Sequence, residues 1–154
     1  MYRPELGTDT LGKVGKNFIT NRAKGLITMT TIVLASQSTS RRRLLESAGL
    51  FPKIIVSQVD EETEFFNSLS PADMVIALAI TKAHTVREQI DFPAIIIGCD
   101  STFEFDGQSL GKPGTPEIAT ERARRVRGNS GLLHTGHCII DTAKDIEISD
   151  RVTT

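Results

Sequence analysis

Residues 34–50 read LASQSTSRRRLLESAGL, so Ser36, Ser38, Thr39 and Ser40 run directly into Arg41, Arg42 and Arg43. Three hydroxyl-bearing residues more than a single cap requires, followed by three cations, point to anion chemistry. At 100° per residue Arg41 shares a helical face with Leu44, Leu45 and Ala48, one turn nearer the N-terminus, which aims it along the helix entrance. A helix entrance offers unpaired N–H groups and partial positive charge, and serine hydroxyls and arginine forks added there make a phosphate site without a P-loop. An over-capped helix with a basic surface accounts for the same spacing.

Three further positions bear on the same chemistry. Lys82 projects between Leu78 and Val86 within an apolar helical arc, and a cation so placed either has an anionic partner or snorkels to the edge. Asp100 closes the most apolar run of the chain, AIIIGCD, and the carboxyl ends of strands are where α/β sheets place ligands. Asp60, Glu61, Glu62 and Glu64 follow another apolar run, so two sources of carboxylate can converge near phosphates, the usual setting for Mg²⁺ or Mn²⁺. Taken singly, each of these acids reads equally as a solvated or capping residue.

Other patterns fail. GQSLGKP has three residues between its glycines and Pro113 where a P-loop needs Ser or Thr. Thr102 stands where an aspartyl-phosphate motif needs a second Asp. His134, His137 and Cys138 make a poor metal cluster on one strand, and Cys99 reads as a buried strand residue with no base to activate it.

The elements that must position these groups follow from pattern. Ile32–Leu34 predicts a short buried strand, and Leu44, Leu45 and Ala48 a helix that stops at Gly49. KIIVSQV predicts a second strand, and DEETEFF a loop or strand end. Ser70, Pro71 and Asp73 form a capping-box-like start for a helix through residue 89. AIIIGCD predicts a buried strand, TFEF alternates, and Asp106-Gly107 is a hairpin signal. Thr115-Pro116 opens a helix to about Arg127, and LLHTGHCIID and IEISDRVTT predict two strands joined by TAKD. This order predicts an α/β fold with a mixed twisted sheet and flanking helices.

A chain of 154 residues suits one domain, and 18 basic against 19 acidic residues, net −1, gives no broad attraction to nucleic acid or membrane. Any anion binding is local. Two cysteines without C-x-x-C spacing argue against a disulfide scaffold and fit a reducing cytoplasm, and no run approaches the roughly 18 to 20 apolar residues of a membrane span. Residues 1–28 are polar, glycine-studded and basic, and read as a poorly ordered extension before Met29.

LASQSTSRRRLLESAGL, VDEET, ALAITKA, IIGCDSTFEFDGQSLGKP and SGLLHTGH, in this order, resemble the Maf family of nucleoside triphosphate pyrophosphatases, also described as septum-formation-inhibitor-like proteins. The resemblance runs from about Thr31 to Thr154. It implies a two-lobed fold like that of inosine triphosphate pyrophosphatases, and metal-dependent hydrolysis of a nucleoside triphosphate, non-standard or pyrimidine, to monophosphate and pyrophosphate. Carried over by position, Ser36, Ser38, Arg41 and Arg42 match the phosphate-binding loop, Glu61 the acidic position, Lys82 the helical lysine and Asp100 the proton-accepting aspartate. Ser101 matches a position linked to base selectivity, usually Thr, and Lys112 lies in the LGKP block. Glu61 and Asp100 would hold Mg²⁺ or Mn²⁺. Thr39 departs from the family's usual Pro. The resemblance also implies a homodimer, and a segment past Thr154 that completes the sheet, so the domain, residues 29–154, is expected to lack its C-terminal part. A non-catalytic nucleotide-binding regulator of septum formation is the competing expectation, and a phosphatase releasing inorganic phosphate a third.

Overall fold

The computed structural model describes residues 30–154, so the expected extension over residues 1–28 lies outside the described residues. The elements run β1 Thr31–Leu34, α1 Thr39–Ser47, β2 Lys53–Ile54, α2 Glu64–Asn67, α3 Pro71–Gln89, β3 Ala94–Phe105, β4 Gln108–Leu110, α4 Pro116–Val126, β5 Leu132–Asp141 and β6 Ile146–Thr153. The sheet has the order β2-β1-β3-β5-β6, with β4 paired to β3. Its β2–β1–β3 half is parallel and its β3–β5–β6 half antiparallel. The expected mixed α/β sheet is therefore the observed one. Among the described residues no helix is long and apolar enough to cross a membrane.

Two strand expectations need correction. KIIVSQV pairs only through Lys53 and Ile54, because its partner β1 ends at Leu34; the Ile55 N–H bonds the Leu34 carbonyl and the ladder stops. AIIIGCD and TFEF are one strand of twelve residues, so Asp100 lies inside β3 rather than at its end. What ends nearby is the parallel ladder, at Leu34 opposite Ile97, with the Ala35 N–H on the Ile97 carbonyl. Beyond Ile97, β3 keeps β5 on one side and loses β1 on the other. The expected loop DEETEFF also contains a short helix, α2, capped by the Thr63 side chain.

The helix starts obey their capping chemistry. Ser38, Ser70 and Thr115 each accept a backbone N–H three residues on, and Pro71 and Pro116 occupy the first turns of α3 and α4. Gly49, at φ 78°, closes α1 as a left-handed C′ residue. The helix at 116 ends at Val126, with Arg127 as its C-cap.

The core lies between α3 and the sheet. Val33, Ala35, Ala79, Ala83, Val86, Ala94, Ile96, Cys138 and Ile140 form one buried cluster. Two glycines set how close the helix lies. A Cβ on Gly98 would run into the Ala79 carbonyl and stand 2.9 Å from the Ala83 Cβ; one on Gly136 would overlap the Val75 backbone. Small residues on both surfaces thus let α3 rest on β3 and β5 at backbone distance. Lys82, on the helical face of Ala79 and Ala83, is carried with it to Asp100.

Candidate active site

The loop from β1 into α1 folds on itself through its serines. Ser38 caps α1, accepting from the Arg41 N–H at 3.3 Å, and its own N–H bonds Ser36 Oγ at 3.2 Å. This fixes the first turn, and the Arg41 side chain then leaves it toward β3. One terminal nitrogen donates to Ser36 Oγ at 3.1 Å and to the Cys99 carbonyl at 2.8 Å; the other donates to Ser101 Oγ at 3.1 Å. The space it fills is the flank of β3 that β1 leaves open after Leu34.

All three acceptors are neutral. Among the described residues Arg41 has no ion pair, so this partly buried guanidinium is held in a fixed plane without an anionic protein partner. A rigid fork of this kind matches phosphate oxygens two at a time.

On the α3 side of the sheet, the Lys82 ammonium lies 2.6 Å from Asp100 Oδ1 and 2.7 Å from Glu61 Oε1. The lysine and aspartate side chains are 8% and 13% exposed, whereas that of Glu61 is 52% exposed, so the group is buried at one end and open at the other. The expected choice between an anionic partner and snorkelling resolves as two anionic partners. Asp100 Oδ2 and Glu61 Oε2 have no protein partner among the described residues.

Burial pushes the Asp100 carboxyl above its ordinary value; the hydrogen bond and charge of Lys82 pull it back, Glu61 pushes it up and Arg41 pulls it down. Burial wins because the carboxylate loses water on most sides, and two cations only partly replace that hydration. An aspartate so raised is a stronger proton acceptor when ionised than one on the surface.

Of the other predicted residues, Arg42 turns away and pairs with Glu46 at 2.7 Å on the exposed face of α1. Lys112 stands in the exposed loop between β4 and α4, without an ion pair among the described residues. Asp60 accepts from the Glu62 N–H, and Glu64 sits in the first turn of α2, so of the acidic run only Glu61 reaches the lysine. His134 bonds Glu104 at 2.7 Å and Thr153 at 2.8 Å, tying three strands together, and burial holds the Cys99 thiol above its ordinary range. No group of three or more His, Cys, Asp or Glu among the described residues is arranged to hold a metal.

Sequence reasoning missed three contributors. Gly98 and Gly136 admit α3, and Thr135, opposite Ser101 in the β3–β5 register, places its hydroxyl 3.0 Å from Ser101 Oγ. The glycines carried a signal, since each stands in the interior of a strand pattern. Thr135 carried none, because only strand register puts it beside Ser101.

Residues 31–154 match the family model for Maf-like proteins. A protein of Streptomyces coelicolor named nucleoside triphosphate pyrophosphatase is 46% identical over 124 residues, which are 80% of this chain and 59% of that protein. Proteins of the same name from Streptomyces avermitilis and Prochlorococcus marinus are 48% and 45% identical, over 73% and 80% of this chain and 54% and 64% of their own lengths. The chain thus spans about six-tenths of the length of these relatives.

Proposed function

This chain belongs to the Maf-like protein family, and we propose that it acts as a nucleoside triphosphate pyrophosphatase, cleaving its substrate between the α and β phosphates. The observation that carries this reading is that the Arg41 guanidinium, without an ion pair among the described residues, bonds Cys99 and Ser101 of β3 on either side of the buried, raised carboxylate of Asp100. Relatives that bear the name of this activity support it.

In this reading Arg41 grips the phosphate tail with Ser36 and Ser38 beside it, and Lys82 exchanges part of its contact with Glu61 for a phosphate oxygen. Water attacks the α phosphorus while Asp100 takes its proton; the bond from the α phosphorus to the bridging oxygen breaks, and pyrophosphate leaves with the electron pair. Little covalent chemistry falls to the protein, so rate comes from alignment and charge neutralisation.

The donor set fits Mg²⁺ or Mn²⁺: Glu61 and Asp100 present hard oxygens, each with one oxygen unused by the protein, and such ions complete their shell with phosphates and water. When bound, the ion supplies charge neutralisation for the leaving group. Arg42 and Lys112 join the tail's binding in this reading only by turning toward it. The resemblance adds a two-lobed domain over residues 29–154, a homodimer and a non-standard or pyrimidine substrate, and the two unpaired cysteines fit a cytoplasmic setting.

The test is incubation of the chain with a panel of nucleoside triphosphates and Mg²⁺ or Mn²⁺, followed by chromatography. Monophosphate with pyrophosphate is the expected outcome. Diphosphate with inorganic phosphate would make the protein a phosphatase, and binding without any product would make it a regulator.

A further inference from the structure

We propose that Thr135 is a positioning residue for the phosphate tail, acting on Arg41 through the Ser101 hydroxyl. The inference rests on the reading of Arg41 as the phosphate anchor.

Arg41 is held at three points, of which two are fixed: the Cys99 carbonyl belongs to the β3 backbone, and Ser36 is locked in the capped loop by the Ser38 N–H. The third, Ser101 Oγ, is a rotor on an exposed residue. A serine hydroxyl has one proton and two lone pairs, and a guanidinium only donates, so Arg41 consumes one lone pair and leaves the rotor free to swing about that contact.

Thr135 removes that freedom. It is the register partner of Ser101 across the β3–β5 ladder, it is half-buried, and its hydroxyl lies 3.0 Å from Ser101 Oγ. Whichever of the two hydroxyls donates, Ser101 is fixed from both sides, and the line from Arg41 through Ser101 to Thr135 polarises along its length. As a β-branched residue on a strand, Thr135 is itself confined in χ1, which suits a group that orients another. Ser101 then belongs to the phosphate cradle, in addition to any role toward the base.

The experiment is calorimetric titration of the full chain with inorganic tripolyphosphate, which carries the charged tail without a base. Wild type, Thr135→Val, Thr135→Ser, Ser101→Ala and the Ser101→Ala/Thr135→Val double variant are compared. Valine keeps the shape and the β-branching, so the fold is preserved while one hydrogen bond is lost. Thr135→Val is expected to weaken binding about fivefold, Thr135→Ser to restore it within about twofold, and Thr135→Val to add nothing on the Ser101→Ala background. Unchanged affinity in Thr135→Val, or an undiminished loss on the Ser101→Ala background, overturns the proposal. A wild-type chain that does not bind tripolyphosphate overturns it together with the role of Arg41. Tripolyphosphate binding with no pyrophosphate released from any nucleotide overturns the enzymatic reading alone.

Discussion

Arg41 and Asp100 meet at β3: the guanidinium bonds the Cys99 carbonyl and the Ser101 hydroxyl, the residues immediately before and after the aspartate. Successive side chains on a strand point to opposite faces, so Asp100 turns to α3 and Lys82 while Ser101 turns to Arg41. One strand thereby presents the Asp100 carboxylate and the contacts to Arg41 within one residue of each other. A ligand reaching both must approach along the flank of β3 where β1 has ended.

If Asp100 is the proton acceptor, Asp100→Asn should lower kcat by about 10²- to 10⁴-fold, the usual worth of general base catalysis. Pyrophosphate release at saturating nucleotide measures this directly. A kcat within threefold of wild type would remove Asp100 from the role.

The raised Asp100 carboxyl also has a sign in pH. Above the ordinary value of 3.8 the unfolded chain has released this proton while the native state retains it, so Asp100 contributes stability at low pH that is lost as pH rises through its folded value. Urea midpoints of wild type and Asp100→Asn should converge toward acid and diverge above it, with the variant free of this loss. The acidic limb of kcat/KM should correspondingly lie above the ordinary carboxylate range.

Lys82 and its two partners should separate stability from activity. Lys82→Met leaves Asp100 buried without its cation and is expected to cost about 3 kcal/mol, as breaking buried pairs does. Glu61→Gln, at the half-exposed end of the group, should cost under about 1 kcal/mol, yet lower turnover through weaker metal and phosphate binding. Denaturant titration and product assays on both variants make the comparison.

Replacing the fork while keeping the charge tests Arg41. A lysine there cannot span the Cys99 carbonyl and Ser101 together, so Arg41→Lys should raise KM by about tenfold or more, in line with the loss of a charged hydrogen bond. Initial-rate kinetics decide it; an unchanged KM would show that charge alone suffices.

Gly98→Ala should act at a distance from the chemistry. Its methyl would overlap the Ala79 carbonyl and crowd Ala83, forcing α3 off the sheet. We expect a loss of about 3 kcal/mol or more, the upper range for overpacking against backbone, and a fall in turnover as Lys82 is carried away from Asp100. Thermal melts and activity of the surviving folded fraction would show both.

Much of this protein was legible residue by residue. Capping chemistry located α3 and α4, because Ser70 and Thr115 satisfy backbone N–H groups within their own first turns, and apolar spacing closed by Gly49 located α1. Apolar runs located the strands, and the mixed sheet followed from tight turns beside long crossovers. Lys82 was marked by its own anomaly, a cation in an apolar arc, and the serine–arginine loop by its excess of hydroxyls over what one cap needs.

Tertiary structure decided which of these groups meet. Arg41 was chosen over Arg42 because the first reaches into the gap beside β3 and the second finds Glu46 one turn along its own helix. Glu61 was chosen from four acids by α3 bringing Lys82 within 2.7 Å of it. The length of β2, the interior position of Asp100 and the pairing of Ser101 with Thr135 all depend on where a neighbouring strand stops or how it is registered. Local pattern encodes what a segment satisfies within itself, while contacts between segments depend on register and approach distance, which here rest on two glycines and the early end of β1.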